Sequence, residues 1–166
     1  KGLARSLSRG PALLQPITKK TVAVRAKEIS VDGTAVGFGS VTIDDFPAGN
    51  ILLLGAVANL TFTGPTSANL VDTWNGDFAV GSTPASDGTL TGADVDIIPS
   101  TAVGPAVAEV SPTTRGAGAT QVILDNTDGS LEVNLNLLID NADISDDVTV
   151  TADGEVYLAF IMLGDD

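Results

Sequence analysis

The sequence predicts an all-β chain, an antiparallel two-sheet β-sandwich of jelly-roll-like topology, entered by an extended basic N-terminal arm. Three observations predict it. Apolar and polar residues alternate with period two in several stretches, most clearly where Leu131, Val133, Leu135 and Leu137 interleave with Glu132, Asn134 and Asn136. Turn-forming Gly, Pro, Asn and Asp recur at intervals of roughly 8 to 15 residues, the spacing of short strands in sandwiches and barrels. Apolar residues nowhere keep helical spacing for more than about two turns.

Each element follows in order. Residues 1–20 mix basic, small and apolar side chains without periodicity, and Pro11 and Pro16 favour an extended chain. From Thr21, Val22, Val24 and Ala26 alternate with Ala23, Arg25 and Lys27, and the strand runs through Ile29 and Val31 to the turn signal Asp32-Gly33. Residues 36–43 resume β character, residues 46–50 interrupt it, and residues 51–62 predict a long, largely buried strand with Gly55 as a bulge. The Gly-, Pro-, Ser- and Thr-rich middle predicts short strands at 78–80, 95–98 and 107–110 on long loops. Another strand is expected at 121–124, and an acidic turn at 125–130 leads into 131–137, with one apolar and one solvated face. A second acidic turn at 143–147 precedes a strand at 148–151. Asp153-Gly154 then reads as a hairpin turn, and residues 155–163 as a closing strand apolar on both faces. The count of roughly eight to ten strands is that of a two-sheet sandwich.

Charge divides the chain. Seven of its eight basic residues (Lys1, Arg5, Arg9, Lys19, Lys20, Arg25 and Lys27) precede the first acid, Glu28, so residues 1–27 carry +7 and the remainder, 21 acids against Arg115, carries −20. The expected organisation is therefore an arm, 1–27, and an acidic β-sandwich domain, 28–166. The arm would seek an acidic partner surface, whereas the body repels nucleic acid and anionic membranes. Apolar residues Leu3, Leu7, Leu13, Leu14 and Ile17, with cations Lys1, Arg5, Arg9, Lys19 and Lys20, are the expected partner-binding set. The arm has no aromatic residue to stack on bases, which points to a protein partner and away from nucleic acid. The opening KGLARSLSRG has the Arg- and Ser-rich, acid-free composition of a transit peptide, but Gly2, Gly10, Pro11 and Pro16 break any amphipathic helix. The longest apolar runs are about eight residues, against roughly 20 for a membrane-spanning helix.

Composition narrows the chemistry. The chain has no Cys and no His, which removes disulfides, thiol nucleophiles, zinc-thiolate sites, His-relayed triads and the HExxH zinc site. Neither an enzymatic activity nor a cofactor is expected. The acidic turns 125–128 and 143–147 could offer oxygen ligands to Ca²⁺, but they depart from the EF-hand pattern and read as solvated hairpin turns. Asp94 and Asp96 share a strand face as a glycosidase pair might, without an aromatic platform beside them. Trp74, the only Trp, sits in a turn and reads either as a cap on the core or as an interface or sugar-stacking anchor.

The segments 45–55 (DFPAGNILLLG), 77–81 (DFAVG), 94–100 (DVDIIPS) and 125–131 (DNTDGSL) resemble those of small virion structural proteins of marine tailed bacteriophages. The resemblance covers residues 28–166 and implies a capsid auxiliary protein, a decoration or cement subunit on the outer capsid surface of the virion. Its implied partners are the major capsid protein and further copies of itself, a trimer being favoured, with neither nucleic acid nor membrane. The alternatives are a carbohydrate-binding β-sandwich with Trp74 as platform, and a phage tail or fibre component.

Overall fold

A computed structural model of the chain describes residues 16–33, 37–118 and 121–164. It holds nine strands: β1 (Thr18–Asp32), β2 (Gly37–Asp45), β3 (Asn50–Thr63), β4 (Gly76–Gly81), β5 (Ile98–Val103), β6 (Thr114–Gly118), β7 (Val122–Leu124), β8 (Glu132–Ile139) and β9 (Val148–Gly164). All pairings are antiparallel, and the strands follow the order β5-β4-β8-β2-β1-β9-β3-β6, with β7 also on β3. Strands β6 and β7 take successive stretches of the same β3 edge, opposite Ala56–Leu60 and Ile51–Leu53, and so share one position.

The order divides into two four-position sheets, β1-β9-β3-β6/β7 and β2-β8-β4-β5. They join where β1 meets β2, and only at Val31↔Gly39 and Asp32↔Phe38. Consecutive strands thus pass between sheets, β2 to β3 and β5 to β6 among them, which gives a jelly roll and not a meander. On the far side β5 and β6 come together, so close that a Cβ on Gly118 would lie 1.9 Å from the carbonyl oxygen of Ile97. The sandwich is nearly closed into a barrel, and few backbone edges remain open.

Inward side chains from both sheets fill the space between them. Val22, Val24, Ile29 and Val31 of β1 meet Ile51, Leu53, Leu60 and Phe62 of β3, Val133, Leu135 and Leu137 of β8, and Val156, Leu158 and Phe160 of β9. Phe46 packs edge-on to Phe160 with ring centroids 5.8 Å apart, and Phe62 lies 5.7 Å from Phe78. Each such pair adds about 0.5–1.5 kcal/mol beyond its buried area.

Several expectations need correction. Strand β1 starts at Thr18, so residues 18–27, assigned to the arm by their charge, belong to the sandwich and pair with β9 from Thr18↔Phe160 onward. Their cations sit on the side of the strand and do not interrupt its Val22/Val24 alternation. Asp153-Gly154 is no hairpin: β9 runs unbroken from Val148 to Gly164. A Cβ at Gly154 would stand 2.0 Å from the carbonyl oxygen of Asn59, so close passage of β3 requires this glycine. Asp153 instead accepts the Ala26 N–H at 2.9 Å, where β1 bulges between Val24 and Lys27. The strand expected at 95–98 lies at Ile98–Val103. Residues 107–110 make a tight turn, with Val107 bridged to Val110 and left-handed φ values of 49° and 63° at Ala108 and Glu109.

The polar face of β8 is not solvated either. Asn134 and Asn136 are 1% and 0% exposed. The β4–β5 connection, residues 82–97, lies across Asn136, whose Nδ2 donates to the carbonyls of Thr83 (3.1 Å) and Asp94 (2.8 Å) and whose Oδ1 accepts the Ala85 N–H (2.9 Å), while Asn134 Oδ1 accepts the Thr42 hydroxyl (3.2 Å).

Candidate interaction surface

Of the residues expected to bind a partner, Lys1, Leu3, Arg5, Leu7, Arg9, Leu13 and Leu14 lie outside the described residues. Ile17 is 55% exposed where the chain enters β1. Lys20 points the same way as Val22 and Val24, and its Nζ reaches Asp44 Oδ2 at 2.6 Å and the Asp45 carbonyl at 3.2 Å. Lys27 donates to the Thr42 carbonyl at 3.5 Å. Beyond the two-residue junction with β2, β1 has no strand on that side, and these two lysines bridge the opening from β1 to β2. Charged side chains on a free edge also discourage pairing with a foreign strand. Part of the basic cluster thus works inside the molecule.

Lys19 points outward, onto the solvent face of the β1-β9-β3-β6 sheet. There Leu54, Val57, Ala117, Tyr157 and Ala159 line a shallow groove of about 550 Å³ with Lys19 at its edge. Register explains the alignment: Val57 stands opposite both Ala117 and Tyr157, and Lys19 opposite Ala159. The row Ile123–Leu52–Ile161 extends the apolar surface, with Ile123 65% exposed and Leu163 beyond it. The row Arg115–Asn59–Glu155 bounds it on the other side. Tyr157 Oη donates to Glu155 Oε2, and that bond to a carboxylate holds the Tyr157 hydroxyl above its ordinary pKa. A contiguous apolar patch on a solvated sheet is the usual mark of a binding surface.

The sequence carried a signal for this face. Residues 155–163 read as apolar on both sides, and a two-layer sandwich can bury only one side of a strand. The double-sided pattern marks an exposed apolar face.

Trp74 is fully buried, and its Nε1–H donates to the Glu109 carbonyl at 2.9 Å. It caps the core and presents no ring to a partner or a sugar. The other candidate groups hold loops. Asp96 accepts both the N–H (2.8 Å) and the hydroxyl (2.6 Å) of Ser82, and Asp94 accepts the Thr83 hydroxyl. Asp125 accepts the N–H and hydroxyl of Thr127, and Asp128 those of Ser130, and these bonds hold both carboxyls below the ordinary Asp pKa. Asp143 accepts the Asn75 N–H at 2.7 Å. Among the described residues, no group of three or more carboxylates is placed to hold a metal ion.

No protein-family model matches the chain, and no curated protein does. Solved structures with partial overlap include chains from several virus structures and, at a TM-score of 0.26 and 12% identity, a family two carbohydrate esterase from Cellvibrio japonicus. Against a chain of the cyanophage Pam1 capsid asymmetric unit the TM-score is 0.41 at 13% identity, over 98% of this chain and 94% of that one. An infectious bursal disease virus chain, Gx strain, gives 0.40 at 13% identity; 91% of this chain is covered, but only 34% of the longer viral one. A chain of mud crab tombus-like virus gives 0.34 at 9% identity over 97% and 98%. The jelly-roll assignment rests on strand order and register, independently of these overlaps.

Proposed function

We propose that this chain is a non-enzymatic virion structural protein, a capsid decoration or cement subunit that sits on the outer shell surface and fastens it through its N-terminal segment and contacts between its own copies. The observation that carries the reading is a jelly roll with an apolar solvent face. Jelly rolls serve as viral shell domains, lectins and cupins. Cupin-type metal chemistry draws on imidazole ligands, and the chain has no His. The only Trp, the expected sugar platform, is buried, and the exposed Tyr157 lies within the apolar row with its hydroxyl bonded to Glu155. Assembly is the use that fits the remaining surface. The proposed partners are the major capsid protein and further copies of this chain, as a trimer.

Because β1 starts at Thr18, removal of residues 1–15 leaves every described strand whole. The test is co-sedimentation of full-length and truncated protein with capsids lacking the subunit, at 0.1 M and 1 M salt. Full-length protein should bind at both, more weakly at high salt because the Debye length falls from about 10 Å to about 3 Å. The truncated protein should remain in the supernatant. Equal binding by the two proteins would refute attachment through the N-terminal segment.

A further inference from the structure

We infer that the apolar outer face of the β1-β9-β3-β6 sheet is the receiving site for residues 1–15 of a second copy of this chain. The inference rests on the proposed fastening role of that segment and names the surface it fastens to.

Side-chain chemistry fits on both sides. Tyr157, Val57 and Ala117 form one apolar row and Ile161, Leu52 and Ile123 another, and in the row between them Ala159 faces Lys19 at the β1 side. Residues 1–15 bring Leu3, Leu7, Leu13 and Leu14. In an extended chain the odd positions Lys1, Leu3, Arg5, Leu7 and Arg9 share one side, and the even positions Gly2, Ala4, Ser6, Ser8 and Gly10 the other. The arginine stems can lie along apolar surface while their guanidinium groups reach a carboxylate at its border. Glu155 stands in the border row, exposed. Lys1, Arg5 and Arg9 are also drawn generally to a body of charge −20.

Chain geometry favours a second copy over the same one. Strand β1 begins beside Phe160, near the C-terminal end of β9, so the preceding residues leave past that end of the sheet. Pro16 and Pro11 favour extended conformations at the residues that precede them. Residues 11–17, if extended, carry the chain about 23 Å beyond the sheet end. The full 15 residues span about 50 Å, more than the roughly 40 Å width of a domain this size. A segment of that length can reach across the face of a neighbouring copy.

The absence of Cys makes cross-linking clean. Leu7→Cys and Val57→Cys are placed in separate molecules, mixed and oxidised, with Ser100→Cys, exposed on β5, as control partner. Leu7→Cys should join Val57→Cys between chains and leave Ser100→Cys unjoined. In sedimentation velocity, removal of 1–15, Val57→Asp and Ile123→Asp should each weaken self-association by at least about tenfold, since one buried aliphatic contact is worth that much. Ile123 is 65% exposed, so its replacement cannot disturb the core should Val57→Asp fail to fold. Equal capture by Ser100→Cys, or self-association unmoved by Ile123→Asp, overturns the inference. So does cross-linking found only within a Leu7→Cys/Val57→Cys double variant at high dilution, which would mean that the segment covers its own face. If truncation abolishes capsid binding while groove variants bind and associate normally, the fastening role stands and this site falls. If the truncated protein still binds capsids, the fastening role falls and the cross-link still decides the site.

Discussion

Asn136→Ala offers the sharpest test of how the second sheet is covered. The side chain is fully buried and makes three hydrogen bonds to the 82–97 connection, two as donor and one as acceptor. At about 1 kcal/mol net each, the bonds contribute about 3 kcal/mol together, and more if Ala85 N–H or the Thr83 and Asp94 carbonyls stay buried without partners. For a domain of this size that lowers Tm by about 6–12 °C. The loss should be local in character, because the connection loses its hold on β8 while Leu135 and Leu137 keep theirs in the core. Limited proteolysis should therefore cut first within residues 82–97, before the sandwich unfolds. Asn136→Asp is the companion variant: a carboxylate facing two carbonyls should cost at least as much at pH 7. A Tm drop under about 2 °C for Asn136→Ala, with no new cleavage in 82–97, would refute the clamp.

Two further predictions follow from local geometry and titration. Gly154→Ala puts a Cβ 2.0 Å from a backbone oxygen at φ +141°, whereas Gly92→Ala, at φ +61°, meets nothing within 4 Å; the first should prevent soluble folding, and the second should cost about 1 kcal/mol by thermal melting. Asp125 and Asp128 have depressed folded pKa values, through the N–H and hydroxyl of Thr127 and the hydroxyl and N–H of Ser130 respectively. The stability they contribute is complete above the unfolded Asp value of about 3.9 and is lost as pH falls through their folded values. Melting curves between pH 5 and pH 2 should accordingly fall less steeply for a Thr127→Val/Ser130→Ala variant than for the parent chain.

The sequence by itself determined the all-β class, the bulge near Gly55 in β3 and the strands β3, β4, β7 and β8 to within a few residues. Period-two alternation and turn chemistry are local properties, readable wherever neighbours along the chain decide them. It also removed whole classes of chemistry through the absence of His and Cys. Only tertiary structure decided what stands opposite each face. Asn136 looks solvent-facing until residues 82–97 are laid across it. Lys20 and Lys27 look like free cations of an arm until β2 brings Asp44, Asp45 and Thr42 within reach. Asp153-Gly154 looks like a hairpin until β1 and β3 flank it and use the same two residues to accommodate a bulge and a close approach. The apolar pattern of β9 says that both its faces avoid water, but only the two-layer packing shows that one is covered by the core while the other is left open among the described residues. Burial is a relation between segments far apart in the chain, and local pattern carries no record of the partner that creates it.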